Sequence, residues 1–343
     1  MSMDFTAGGR LEVRITPSDV GKRVSLRRVA EIVEGRPVFA DAVGILTSWD
    51  EGVLIVTRRD GETVRIAESS LVAGKIVPDA PARRGARAPR ATARELQESA
   101  SRCWPAQETA RLGAWTLRAA GGFTRRANSV LPLGDPGVPL TEAVARIARW
   151  YGDRGLPPYV QVTTGGEDSD ETLAEALGGL GWTAEGHALL RTAALAPIAD
   201  LPGAEAVHLS READAEWLAR YHRTGDVGDA ALKVLGGGPS VWFATVPGEG
   251  DSAGAGPAAI GRCAVDGRFA SFGAVEVAPD HRRRGLARAV MAALARKALD
   301  EGASGAYLQV ETDNEGARAL YDRMGFTTHH AYHYRRGPLP AGG

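Results

Sequence analysis

Two hydrophobic periodicities divide the chain. Up to about residue 78, apolar residues come in short alternating runs, at residues 11–15, 23–27, 42–46, 52–57 and 63–66. Alternation with a period of two marks half-buried strands, and Asp50-Glu51-Gly52 and Arg59-Asp60-Gly61-Glu62 fall between runs as hairpin turns. Five short strands in so small a stretch predict an SH3-like β-barrel over residues 9–78. Residues 79–94 then carry Pro81, Pro89 and five arginines without a large apolar side chain, a composition that buries no core and reads as a flexible linker.

Beyond the linker, helix spacing alternates with strand runs. Val144, Ile147, Ala148 and Tyr151 share one face of a helix over residues 141–155; a strand follows at 159–162, a helix at 171–180 and a β-like run at 187–192. The same order returns with a helix at 286–300, a strand at 306–310, a helix at 315–324 and a run at 331–335. Val160-Gln161-Val162 leading to Leu180-Gly181-Trp182 is echoed by Leu308-Gln309-Val310 leading to Met324-Gly325-Phe326, which we read as an internal duplication. Between the copies, residues 247–257 are Gly-rich and polar and read as an exposed hairpin loop. The expectation is an α+β chain: a barrel, a linker, and two α/β halves over 95–197 and 203–337.

Composition narrows the function classes. A 44% apolar and 24% charged chain is globular, and a net charge of −1 draws it neither to nucleic acid nor to an anionic membrane. The linker arginines have no aromatic residues interleaved for base stacking, so they read as solvated charge. There is no apolar run long enough to span a membrane, and residues 1–10 lack a signal-peptide core, so a cytoplasmic protein is expected. Cys103 and Cys263, alone and far apart, predict neither a disulfide framework nor a cysteine zinc site. His329, His330 and His333 lie in a strand-like run without accompanying carboxylates, so no metal is expected.

The chemistry concentrates in residues 271–288. A strand through Val275, Glu276 and Val277 runs into a Pro279-marked turn, then Arg282-Arg283-Arg284-Gly285-Leu286-Ala287-Arg288 opens directly into a helix. A helix N-terminus offers unpaired N–H groups and partial positive charge, Gly285 and Ala287 keep the backbone bare, and the arginines add donors: an anion cradle the size of a pyrophosphate. Neither a Walker loop nor a Gly-x-Gly-x-x-Gly dinucleotide fingerprint is present.

Arg282-x-x-Gly285-x-Ala287 resembles the (Gln/Arg)-x-x-Gly-x-(Gly/Ala) motif of the GNAT N-acetyltransferases. Asn314-Glu315-Gly316-Ala317-Arg318-Ala319-Leu320-Tyr321 through Gly325-Phe326 resembles that family's second segment, in order and at the right spacing. The resemblance implies a tandem GNAT fold with acetyl-CoA as co-substrate and no metal. It implies that Val275, Glu276 and Val277 pair with the pantetheine amides, that residues 282–288 surround the pyrophosphate, that Asn314 binds the pantetheine arm, and that Tyr321 protonates the leaving thiolate. Glu276 or Glu311 would take the amine's proton. Many members that acetylate protein N-termini carry Glu where this chain has Gln309, an amide that takes up no proton. The middle half has no such loop and has Leu177 where the other has Tyr321, so it would be a degenerate copy that shapes the acceptor site. There, Arg125 and Arg126 in Gly121-Gly122-Phe123-Thr124-Arg125-Arg126-Ala127-Asn128-Ser129-Val130, a strand-like run, suit an acidic acceptor. The whole arrangement is similar to actinobacterial SH3-like plus GNAT proteins, some assigned as N-acetylglutamate synthases. The expected partner is a small-molecule amine, either glutamate or another amine (amino acid, antibiotic, polyamine, protein N-terminus); a homodimer is compatible. A non-catalytic acyl-CoA sensor is the alternative class.

Overall fold

The computed structural model describes residues 12–33, 36–58, 62–77, 88–221, 228–248 and 256–338. The alternating runs of the first part become β1 (Arg23–Val33), β2 (Arg36–Asp50), β3 (Val53–Thr57), β4 (Thr63–Ala67) and β5 (Leu71–Ile76), in the order β4-β3-β2-β1-β5. Asp50 pairs with Val53 across Glu51 (φ 47°) and Gly52 (φ 75°), a two-residue hairpin with both central residues left-handed. The Asp60-Gly61 turn lies outside the described residues, while β3 and β4 pair antiparallel on either side of it. Val24, Leu26, Leu46, Leu54, Val56 and Ile66 form the core on one face.

The expected closed barrel is corrected to an open antiparallel sheet: β4 and β5 are its two edges and form no ladder with each other among the described residues. Of the run at residues 11–15, expected as a strand, the described residues form an isolated bridge from Val13 to Gly74 rather than a ladder. Pro17 opens a 3-10 turn, Pro17–Asp19, whose Asp19 carboxylate accepts from Thr16 N at 2.9 Å, and this ends the extended run. An ionic cluster ties the sheet to the rest of the chain. Arg211 donates to Asp41 of β2 (3.0 Å) and to Glu301 (3.1 Å).

The linker's end is ordered. Thr92 caps α1 (Ala93–Cys103) by accepting from Glu95 N at 3.1 Å while the Glu95 carboxylate accepts from Thr92 N at 3.0 Å. The helix therefore starts inside the stretch expected to be linker.

The remaining elements are β6 (Glu108–Leu112), β7 (Trp115–Ala119), α2 (Leu140–Gly152), β8 (Tyr159–Thr164), α3 (Glu171–Gly179), β9 (Thr183–Ala194), α4 (Leu195–Ala199), β10 (His208–Ser210), α5 (Ala215–Arg220), α6 (Asp229–Gly236), β11 (Val241–Val246), β12 (Ala259–Asp266), β13 (Phe269–Val277), α7 (Leu286–Asp300), β14 (Gly305–Glu311), α8 (Glu315–Arg323) and β15 (Thr327–Arg336). Eight strands form one sheet in the order β10-β11-β12-β13-β14-β9-β15-β8, and only β13 and β14 run parallel. α1 packs on one face over β12 and β13, and α7 on the other over β11 to β13.

The two halves follow the same strand order in this sheet, with an exchange of their last strands. In the second half β11, β12 and β13 pair antiparallel and β13 meets β14 in parallel. In the first half β6 pairs antiparallel with β7, Thr116 bridges antiparallel to Leu131, and Val130 bridges in parallel to Val160 of β8. The strand that closes each half lies beside the other half's strand: β9, following α3, pairs with β14, and β15, following α8, pairs with β8. β9 and β15 pair with each other at the centre.

Residues 121–130 are not a strand. Gly121 (φ 56°), Gly122 (φ 84°) and Thr124 (φ 55°) are left-handed, and Arg125–Ala127 is a 3-10 turn. Asn128 holds the loop: Oδ1 accepts from Ala120 N (2.8 Å) and Gly122 N (3.0 Å), and Nδ2 donates to Phe123 O (2.8 Å) and Thr124 O (2.9 Å). One side chain thus replaces the ladder that a strand would have supplied.

Candidate active site

β13 and β14 pair only from Phe269↔Gly305 to Phe272↔Leu308. Beyond that point β13 continues with β12 and β14 continues with β9, so the facing backbone edges of Gly273 to Val277 and Gln309 to Glu311 part. The register of β13 against β12 shifts between Ile260 and Arg262, and Ala274 there is left-handed at φ 51°. Such a bulge bends its strand and leaves backbone groups unpaired, which opens the cleft to an extended chain carrying amides. Phe272 and Leu308 face the α7 core, whereas Tyr307 bonds Ser99 of α1 at 3.2 Å. Alternation from Tyr307 puts Gln309 on the α1 face. Past the bulge, Val275 and Val277 pack on the α7 core and Ala274 on the opposite cluster, so Glu276 falls on the α1 face too.

At the end of β13 the turn Pro279–His281 leads to Arg282, then Arg283 (φ 68°), Arg284 and Gly285 (φ 83°), the N-cap of α7. A left-handed arginine costs about 1–2 kcal/mol relative to its ordinary conformation. With Gly285 also left-handed, it turns the chain directly into α7, whose first N–H groups belong to Leu286 and Ala287. The first N–H in the helix to find a carbonyl is that of Arg288, on Gly285 O at 3.0 Å. Arg282 and Arg284 flank the same turn. The loop thus carries three arginines into a helix N-terminus whose first N–H groups are not taken by the helix.

Asn314 caps α8, its Oδ1 accepting from Ala317 N at 3.0 Å. Two turns beyond that cap, half-buried Tyr321 packs edge-to-face on Phe326 with centroids 5.7 Å apart. This helix end is held by a residue that sequence reasoning missed. Arg191 of β9, 5% exposed, donates to Asp322 Oδ1 (2.5 Å), Phe326 O (2.6 Å) and Arg318 O (3.2 Å). The first half of the chain therefore positions the second half's tyrosine through the exchanged strand.

The two loop arginines point apart. Arg125 pairs with Glu185 at 2.9 Å and lies 5.7 Å from the Tyr334 ring centroid. Arg126 turns toward the cleft, donating to Gln309 Oε1 at 3.2 Å with its guanidinium 4.7 Å from the Trp104 centroid.

Behind Arg126 runs a buried chain of polar groups. Arg118 of β7 donates to Gln161 Oε1 (3.0 Å), Gln161 Nε2 to Gln97 Oε1 (2.6 Å), and Gln97 Nε2 to His330 Nε2 (2.8 Å). His330 Nδ1 meets His329 Nδ1 at 2.9 Å, and His329 Nε2 meets Ala91 O at 3.0 Å. Gln97 on the inner face of α1 and Arg118 in an apolar strand were the readable signals, since a polar group amid apolar neighbours is buried only with partners.

With this geometry in place, comparison with known proteins is decisive. Residues 90–335 match the family described as "Probable histone acetyltransferase Rv0428c C-terminal". The chain belongs to that family. It is 28% identical over 331 residues to the probable histone acetyltransferase Rv0428c of Mycobacterium tuberculosis, covering 94% of this chain and 95% of the relative. Two solved structures share the fold. One is a GCN5-related N-acetyltransferase from Kribbella flavida (TM-score 0.53, 17% identity, 73% of this chain and 96% of that one). The other is a tandem GNAT protein from the clavulanic acid biosynthesis pathway (TM-score 0.50, 14% identity, 75% and 91%). This member of the Rv0428c C-terminal family is thus an N-acetyltransferase of the GNAT type, and the family implies acetyl-CoA use. The observed features fit that molecule: a curled cradle at the N-terminus of α7 for its pyrophosphate, and parted strand edges for its amide-bearing arm.

Proposed function

We propose that the chain transfers the acetyl group of acetyl-CoA directly to a primary amine that enters from the α1 face. The single observation that carries this reading is the parting of β13 and β14 after Phe272↔Leu308, directly upstream of the α7 cradle. The bound co-substrate supplies an activated thioester. Leu286 and Ala287 N–H and the arginines at 282–284 hold its diphosphate end, and the edges at 273–277 and 309–311 align its arm. In this reading Glu276, on the α1 face, receives the amine's proton, directly or through water. Tyr321, steadied by Phe326 and by the hydrogen bonds that Arg191 of β9 makes to α8, donates to the departing thiolate. Glutamate and other small amines are the acceptors in this reading. A second reading, a lysine side chain of a protein, is favoured by the description of the Mycobacterium relative as a probable histone acetyltransferase.

The test is release of free thiol from acetyl-CoA against a panel of amino acids, polyamines, aminoglycosides and lysine peptides. At least one amine should accelerate release, and Tyr321→Phe should lower turnover about 10- to 1,000-fold with acetyl-CoA binding retained. Wild-type turnover in that variant removes Tyr321 from the chemistry; binding without transfer to any amine favours a sensor.

A further inference from the structure

The catalytic cleft accounts for neither of two guanidiniums beside it. Arg118 is 5% exposed and lies inside the first half, yet among the described residues it meets no carboxylate: Nε donates to Ser129 O (2.9 Å), and Nη2 donates to Ser129 Oγ (2.8 Å) and Gln161 Oε1 (3.0 Å). Its Nη1 donates to no described residue. Burial pulls its pKa down, and the ionisable groups acting on it are the phenols of Tyr334, Tyr151 and Tyr332. Arg126 donates to Gln309 and lies over the Trp104 ring, and among the described residues it pairs with no carboxylate. Arg118, Arg126, Gln161 and Gln309 line one small cavity of about 10 Å³ beneath α1, room for about one oxygen-sized group.

A buried arginine without a carboxylate is not by itself a site, and Arg262 shows why. It is fully buried on β12, but it donates to Leu235 O (2.6 Å), Cys103 O (2.9 Å) and Gly237 O (2.6 Å), carbonyls at the C-terminal ends of α6 and α1. Those ends carry partial negative charge, so Arg262 is compensated. Arg118 has no such partner, and one of its nitrogens remains unused beside a cavity that a second guanidinium also lines. Charge left unbalanced in a low-dielectric site is costly, and a planar guanidinium pair suits a planar anion. The position is equally specific. Gln309 is the first residue of β14 past the last β13 pair, so the cavity adjoins the point where the cleft opens. The wall that can give way is Arg126, half-buried and held by a single 3.2 Å hydrogen bond.

We propose that this cavity is the subsite for the carboxylate of an amino-acid acceptor: Arg118 takes one oxygen through Nη1, and Arg126 leaves Gln309 to take the other. The amine of the same molecule then faces the parted strands. Gln161 and Gln309, at corresponding positions of the two halves, flank the anion, so the degenerate half serves to read the acceptor. This inference rests on the transferase reading of the cleft.

The experiment compares glutamate with its diamide and alanine with alaninamide. One arm measures equilibrium binding to the CoA-loaded protein by calorimetry, and the other measures acetyl transfer. The acids should bind and react about 10- to 100-fold better than the amides, the range expected of a charge-assisted hydrogen bond. Arg126→Gln should bring that ratio toward one by raising KM, with acetyl-CoA affinity retained; Arg118→Gln should do the same if it folds, and the half-buried Arg126 variant decides the matter if it does not. Acid-selective binding without transfer would overturn the transferase reading and leave the subsite standing. Transfer with equal preference for acids and amides, or a lysine peptide outperforming every acid, would overturn the subsite.

Discussion

His330 lies in a hydrogen-bond chain whose direction is set at both ends. Arg118 only donates and Ala91 O only accepts, so each group between them has one allowed role, and His330 is neutral with its proton on Nδ1 and its Nε2 accepting from Gln97. Burial, with His329 adding to it, lowers the His330 pKa to about 4, below the ~6.5 of an unfolded histidine. The unfolded chain therefore takes up this proton first. The stabilisation is complete above pH ~6.5 and is lost as pH falls toward about 4, by up to roughly 1.4 kcal/mol per unit and on the order of 3 kcal/mol in all. Urea midpoints measured from pH 7 to 4 should show this loss. His330→Asn should be less stable at pH 7 but have a flatter acid limb; an unchanged limb would show that His330 does not carry it. At this scale the candidate residues Arg282, Arg283, Arg284, Asn314 and Tyr321 stood out in the sequence because they lie in local motifs. The partners of Arg118 and Arg191 did not stand out, because each acts on residues distant in sequence.

The helix α7 is the element on which the cradle depends. Its limits, Leu286–Asp300, are those the apolar spacing predicted, because Gly285 starts it and Leu286, Val290 and Leu294 define its face. How closely it lies on the sheet is decided by Gly261, where an added Cβ would meet Val290 Cγ1 at 2.4 Å. Gly261→Ala should cost about 1–3 kcal/mol and weaken CoA binding, since the shift is passed one turn along to Leu286 and Ala287. Gly316→Ala, where a Cβ meets nothing within 4 Å, is the stability control. Thermal unfolding and CoA titration check both, and wild-type values for Gly261→Ala would mean that Val290 turns aside freely. The run at residues 121–130 misled for the opposite reason. Its composition is compatible with a strand, and only the four bonds of Asn128 select the folded loop.

For the whole molecule, the exchange of β9 and β15 is the governing feature. A fragment of residues 203–337 would leave β14 without β9, exposing a strand edge and uncovering Tyr307, which packs on Leu190 of β9. Expressed alone it should aggregate or remain unfolded, and co-expression with residues 88–200 should restore a soluble complex; a stable, monomeric fragment would show that the halves are independent. The two halves were legible in the sequence as repeated strand–helix–strand order, with Gln161 and Gln309 in register. Hydrophobic spacing is a local property, so the sequence by itself determined most of the helices and strands and the order in which they recur, and its short motifs pointed to the acetyltransferase family to which the chain belongs. Tertiary structure alone decided that the N-terminal sheet stays open, that the halves trade strands, that Arg191 steadies Tyr321's helix, and that Arg118 rather than Arg125 shares a cavity with Arg126. Those outcomes depend on which strand edge meets which and on where a buried charge finds its partner, and neither is written in the spacing of neighbouring residues.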